Sequence, residues 1–254
     1  MRKATVSTTP RKTPNRTTVA DDVYAKLREQ LITGTRQPGE KLTLRALAEE
    51  FKTSVQPVRE AVRRLNAQGG LFIHPNRTIS VSAPNHDQFE ELLQIRAVLE
   101  GLACENAVRH MRDSDIQRIR QLGQRFEREA VHMRPNPLVL ARLNRELHFA
   151  IYRISRMPQL IKLIENIWIQ TSPTLTLAIR HTAQAMTMRD ALKARKRLIE
   201  AIAQKNPSKA RQAMVATINE SAELIQRSGI LWQFDAIVPS PQNSTETISR
   251  QHRI

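Results

Sequence analysis

Gln56, Arg59 and Arg63 stand at i, i+3 and i+7, so a helix through them carries all three on one face. Val58, Ala61, Val62 and Leu65 repeat at i, i+3, i+4 and i+7 and define a second, apolar face of the same helix. The chemistry open to the polar face is recognition of planar acceptors. A guanidinium can lay two parallel N–H bonds on guanine O6 and N7, as Arg59 could, and an amide such as Gln56 can read adenine. Ser54 precedes the run as a candidate N-cap, and a helix N-terminus attracts phosphates. Arg45 and Arg63 suit phosphate oxygens. Asn76 and Arg77 stand at the tip of a turn, where Arg77 could touch backbone or enter a minor groove.

These residues need a scaffold. Val23, Tyr24, Leu27, Leu31 and Ile32 recur at helical spacing before Gly34. Pro38-Gly39 makes a turn, Thr43 can cap a short helix over 44–51, and the Ser54 helix runs to about Gln68 before Gly69-Gly70. Leu71–Ile73 and Ile79–Val81 read as strands around Pro75-Asn76-Arg77. Three helices and a β-hairpin over residues 21–82 make a winged helix-turn-helix. Residues 85–228 show no strand signal. They divide into about six helices, broken near Pro135 and Pro137, with Pro173 expected to kink or end the fourth. The expected fold is therefore mainly α, a winged helix-turn-helix followed by an antiparallel helical bundle. Residues 1–20 hold five basic residues and no acid, the composition of a flexible basic arm. Residues 229–254 become rich in Pro, Ser and Asn and are expected to be partly disordered.

Composition limits the function. Forty Lys and Arg against 24 acids give +16, more than solubility requires, which points to a polyanion. One cysteine, Cys104, excludes an internal disulfide framework and suits a reducing compartment. No run of 18 apolar residues exists, and the basic arm lacks an amphipathic apolar face, so no membrane partner is expected. An enzyme would need a constellation such as a Gly-rich phosphate loop or HExxH, and neither occurs. An RNA-binding sheet would interleave aromatics with basic residues, and these are missing. A metal-independent enzyme and a generic nucleic-acid binder remain the alternatives to a sequence-specific DNA-binding regulator.

The stretch from Val23 to Pro84 resembles the DNA-binding domain of GntR-family transcription regulators. Pro38-Gly39, Leu44-Arg45-Ala46-Leu47-Ala48 and Pro57-Val58-Arg59-Glu60-Ala61-Val62-Arg63-Arg64-Leu65 carry the resemblance. Leu93 to Ala103 is similar to the ligand-binding domain of the FadR subfamily, also called the FCD domain. Three positions depart from the pattern. Lys52 stands where the family has Gly, Val55 where it has Arg, and Asn76-Arg77 where the wing turn has Gly. Val55 could meet a thymine methyl instead.

The resemblance implies a cytoplasmic, nucleoid-associated homodimer on an inverted-repeat operator in double-stranded DNA. Its release would be controlled by a small-molecule effector, and repression would be the usual outcome. Many relatives hold a divalent metal with one Asp and three His. By motif matching those positions fall on Asn144, His148, Arg195 and Thr217. An Arg where a cation would sit opposes metal binding, so no metal and no cofactor are expected. Met157-Pro158, Leu163-Ile164-Glu165 and Trp168 resemble the McbR-like branch, which lacks those ligands. Arg96 and Arg195 could instead grip a carboxylate effector directly, with Asn144, His148 and Thr217 adding polar contacts. Two ordinary alternatives stand beside that reading: Arg96 paired with Glu100 at i+4, and Arg195 solvated beside Lys196 and Arg197.

Overall fold

The computed structural model describes residues 18–182 and 185–235, without the side chains of 182–191 and 235. Most of the arm and tail expected at the ends of the chain lie outside the described residues. The first helix, α1 (Val19–Ile32), begins where Thr18 and Asp21 exchange hydrogen bonds in a capping box. It therefore starts inside the stretch read as arm. Its Val23, Leu27, Leu31 and Ile32 turn inward. Strand β1 (Lys41–Leu42) leads into α2 (Leu44–Glu50), capped by the Thr43 hydroxyl, which accepts from the Ala46 amide at 3.1 Å. Helix α3 (Val55–Ala67) buries Val58, Ala61, Val62 and Leu65, as its spacing requires.

Strands β2 (Leu71–Ile73) and β3 (Ile79–Val81) form the wing, with Leu71 opposite Val81 and Ile73 opposite Ile79. The sheet has the order β1-β3-β2, all antiparallel. β1 was not legible because two residues carry no alternation.

Six long helices follow: α4 (His86–His110), α5 (Asp113–Ala130), α6 (Pro137–Ile154), α7 (Pro158–Thr182), α8 (Ala185–Ala203) and α9 (Pro207–Arg227). The short α10 (Trp232–Asp235) closes the described chain. The mainly helical fold with a small winged sheet is as expected. One detail differs: α7 runs on through Pro173 and does not end there. Proline costs a helix one backbone hydrogen bond, and a long helix packed among others can absorb that loss.

The head is packed on the bundle. α1 lies against α7, and Leu31 and Ile169 both close on the backbone of Gly70. Gly34 has φ +65, and a Cβ there would stand 2.2 Å from Thr176 Oγ1, so only glycine fits this junction. Arg28 pairs with Glu165 at 2.9 Å and Arg145 with Glu29 at 2.5 Å, both across the junction.

Two positions where the resemblance leads to glycine hold cations in left-handed backbone instead. Lys52 has φ 52 and Arg77 has φ 64, both in the left-handed region. For a side-chain-bearing residue that conformation costs roughly 1–2 kcal/mol. Lys52→Gly is therefore expected to raise unfolding free energy by about 1 kcal/mol in urea denaturation. An unchanged or lower midpoint would show that the Lys52 side chain compensates the strain.

Candidate functional site

The head presents its polar residues outward. Gln56, Arg59 and Arg63 on α3, Arg45 on α2, and Asn76 and Arg77 at the wing tip are all exposed. None of the four arginines forms an ion pair among the described residues. Arg64, on the same helix, behaves oppositely. It pairs with Asp21 at 2.7 Å, stacks on Tyr24 at 4.0 Å, and holds the Asp21 carboxyl down to about 2. The helix thus separates an arginine that ties it to α1 from arginines that face solvent.

Val55 is half-buried and packs against the core, so its methyls already serve the head's interior. Ser54 occupies the N-cap position of α3 with extended backbone, but its hydroxyl makes no capping bond. This corrects the expected serine cap. The first amides of α3 keep their donors, and Ser54 is exposed beside them, a combination that suits a phosphate. The wing turn is built locally: the Asn76 carbonyl oxygen of the side chain accepts from the Thr78 amide at 3.1 Å, leaving Arg77 at the apex.

A second polar centre lies inside the bundle. All five residues considered for effector contact are buried there: Arg96, Asn144, His148, Arg195 and Thr217. Arg96 Nε donates to Glu100 Oε1 at 2.6 Å, the i+4 pairing its spacing allowed. Glu100 is wholly buried and also accepts from Trp168 Nε1 at 2.9 Å and from the Tyr152 hydroxyl. Burial pushes the Glu100 carboxyl up. The Arg96 charge, the nearby His148 ring and the Arg96 hydrogen bond outweigh that and hold it at about 2. Burial lowers the His148 pKa, partly offset by Glu100. The His148 ring contacts the Tyr152 hydroxyl through Nδ1 at 2.7 Å. Thr217 donates to its own helix at Met214 O, 2.7 Å away.

Arg195 is not solvated. It is 7% exposed, stacks over Phe126 at 3.7 Å, and Nη2 donates to Asn144 Oδ1 at 2.9 Å. Its Nε and Nη1 have no hydrogen-bond partner. Burial lowers its pKa to about 10, so it stays charged at neutral pH.

The donor set does not fit a divalent metal. Of the four matched positions only His148 is a good ligand, and the Arg195 cation occupies the Asn144 oxygen. Among the described residues no three His, Cys, Asp or Glu gather as a metal cluster. Sequence reasoning named Arg96, His148 and Arg195 but missed Glu100, Tyr152 and Trp168 as one network. The i+4 spacings of Arg96 with Glu100 and of His148 with Tyr152 were the available signal.

Because Glu100 is held below its ordinary value, its stabilising effect is full above about pH 4.5 and is lost as pH falls toward about 2. Glu100→Gln should flatten the acid limb of a stability-versus-pH profile in that window. At neutral pH it should destabilise by about 3–5 kcal/mol, because Arg96 is left buried without its counter-charge. A profile parallel to the wild type would contradict this assignment.

The comparisons with known proteins agree with this arrangement. Residues 19–81 match the model for bacterial regulatory proteins of the gntR family, and residues 91–220 match the FCD domain. The chain is 31% identical over 149 residues to the HTH-type transcriptional regulator McbR of Escherichia coli K12. That match covers 59% of this chain and 66% of McbR. It is 26% identical to the HTH-type regulator YdhC of Bacillus subtilis 168, over 79% of this chain and 88% of that protein. The solved structure of E. coli McbR/YncC superimposes with a TM-score of 0.72 at 27% identity, covering 85% of this chain and 98% of that one. A GntR regulator from Rhodococcus sp. RHA1 gives 0.66 at 20% identity, over 82% and 97%, a likeness of fold. With a winged helix-turn-helix before an FCD domain, the chain belongs to the GntR family of bacterial transcriptional regulators.

Proposed function

We propose that this DNA-binding regulator acts as a repressor, binding an inverted-repeat operator as a homodimer through α3 and the wing. The observation that carries the reading is the outward face of Gln56, Arg59 and Arg63, whose arginines meet no carboxylate among the described residues, beside an α3 N-terminus that the Ser54 side chain does not cap. In a major groove this end of the helix meets base edges while Arg45, Arg63 and the amides meet phosphates. Arg59 is assigned to guanine and Gln56 to adenine. Val55, packed against the core, has methyl surface left for a thymine. Asn76 and Arg77 reach the flanking backbone or minor groove.

The chain works as two units in this reading. Residues 21–82 bind DNA, and 85–228 bind the effector and pair the subunits. The basic residues 1–20 add sequence-independent attraction. The protein is read as a regulator and not an enzyme: its buried carboxylate, Glu100, is taken up by Arg96, Tyr152 and Trp168. Its place is the bacterial cytoplasm, on the nucleoid. Arg96 and His148 shape the effector site from behind, through Glu100, while Arg195, Asn144 and Thr217 face the small molecule.

Control of DNA affinity requires that the effector prefer one arrangement of bundle and head. Helix α7 is the direct link. Trp168 binds Glu100 in the bundle centre, and Gln170, two residues on, donates to the Gln68 carbonyl at the end of α3, 3.1 Å away. A shift of α7 would thus move the reading helix.

In competition gel shifts, Arg59→Ala is expected to cost about 1–3 kcal/mol of discrimination at one base pair. Deleting residues 1–16 should weaken binding alike on all sequences and make its salt dependence shallower. Intact discrimination in Arg59→Ala would move the reading surface elsewhere.

A further inference from the structure

The helical half carries a larger positive excess than the head. Residues 85–228 hold 23 basic and 15 acidic side chains, against ten and seven in residues 21–82. The reading face of the head lies outside that larger excess, so the charge on the bundle calls for its own account.

Part of it is arranged along one groove. Two open clefts follow the seam between α5 and α6. One, of about 300 Å³, is lined by Arg118, Arg125, Arg153 and Glu146, with Gln121 and Leu122. The other, of about 390 Å³, shares Arg125 and adds Arg128, Arg142, His132 and Glu129. Both carboxylates are already engaged. Glu146 pairs with Arg125 at 3.2 Å and with Arg142 at 3.8 Å, and Glu129 accepts from the Asn136 amide at 2.7 Å. Arg118, Arg128 and Arg153 are exposed and form no ion pair among the described residues. Arg118 and Arg128 stand ten residues apart on α5, and Arg142 and Arg153 eleven apart on α6. Each row therefore extends about 15 Å along its helix.

The groove also lies near the head. Arg145, which meets Glu29 of α1, falls between Arg142 and Arg153 along α6. Around the helix it is roughly 60–100° from Arg142, Glu146 and Arg153. The groove thus follows the flank of the bundle beside the head's seat.

We propose that the α5–α6 groove holds the phosphate backbone of duplex DNA flanking the segment that the head reads. The proposal rests on the reading of α3 and the wing as the DNA-binding face, which brings the duplex, and it adds a second, sequence-independent contact. Three features select this partner. Guanidinium groups in a row suit phosphates that repeat about every 3.4 Å of duplex axis on each strand, so one row spans about four of them. A small anion would instead be met by donors converging on one point. A concave seam between two helices fits a rod, whereas a lipid surface is flat. DNA already held by the head reaches the groove at high local concentration, so contacts too weak to hold a free duplex add to the affinity. An operator without flanks leaves the groove empty.

The test selects an operator from random duplexes with the full chain. It then compares that operator alone with the same operator carrying about 20 bp of unrelated sequence, roughly two helical turns, on each side. Anisotropy titrations over a range of salt are read on the wild type and three variants. The groove variant is Arg118→Gln/Arg128→Gln/Arg153→Gln. The control, Lys162→Gln/Arg197→Gln/Lys209→Gln, removes the same charge outside the groove. Gln121→Arg adds a cation to the row. All seven side chains are exposed, so none of the changes touches the core. The flanks should tighten wild-type binding at least about tenfold at low salt and steepen its logarithmic salt dependence by about 2–3. The groove variant should lose that gain and match the wild type on the bare operator. The control should keep the gain, and Gln121→Arg should enlarge it. The proposal is overturned by flanks without effect on the wild type, by a gain kept in the groove variant or lost equally in the control, or by a gain that Gln121→Arg does not enlarge. Flanks without effect, together with binding to phosphatidylserine vesicles that the groove variant loses, would make a membrane the partner instead. Arg59→Ala separates the groove from the head. If only the groove is wrong, Arg59→Ala loses discrimination and the flanks do nothing. If only the reading of the head is wrong, discrimination survives Arg59→Ala and the flank effect still vanishes with the groove arginines.

Discussion

A single carboxylate at the centre of the bundle fixes the geometry on which the rest depends. Glu100 accepts from Arg96 on its own helix, from the Tyr152 hydroxyl of α6 and from the Trp168 indole of α7. Burying that charge is costly, and only this full set of donors makes it tolerable. The value of the network is therefore positional. Any slip of α6 or α7 along α4 would strand a charge or a polar hydrogen in a dry interior. Helix α7 carries this constraint outward. Its Ile169 and Thr176 meet the head at Gly70 and Gly34, and its Gln170 holds the last turn of α3. The orientation of the DNA-reading helix is thus referred back to a buried ionic centre.

Charge pairing sorts the arginines by role. Arg28, Arg36, Arg64, Arg96 and Arg145 each meet a carboxylate and join elements or turns of the fold. Arg45, Arg59, Arg63 and Arg77 meet none among the described residues and point outward from one end of the molecule. With 40 basic residues and 24 acids, many cations must lack a partner. The four on α2, α3 and the wing stand on the exposed faces of the winged helix-turn-helix, where a polyanion would meet them. The left-handed backbone at Lys52 and Arg77 is not peculiar to this end, since Arg156 and Lys205 adopt it between helices of the bundle. Arg195 is the exception, unpaired but inside.

Much of this was legible in the sequence, for physical reasons that differ by element. The two faces of α3 follow from period alone, because Val58, Ala61, Val62 and Leu65 cannot be buried without exposing Arg59 and Arg63. The hairpin was legible because Leu71–Ile73 and Ile79–Val81 flank an obvious turn. β1 was not, since Lys41-Leu42 gains its strand character only by pairing with β3. The absent Ser54 cap could not be foreseen: a serine at that position has the right chemistry, and only its rotamer decides. Arg195 was hardest. Flanked by Lys193, Lys196 and Arg197, it looks like part of a solvated basic run, and only the tertiary packing of α8 against α5 and α6 buries it.

Hydrogen–deuterium exchange of the full chain, with and without an operator duplex, tests the central claim most directly. The account requires slowed exchange on DNA addition at the start of α3, residues 54–60, and at the wing tip, residues 74–78, with the outer surfaces of α5 and α8 unchanged. Protection confined to the helical bundle, with α3 exchanging as in the free protein, would contradict it.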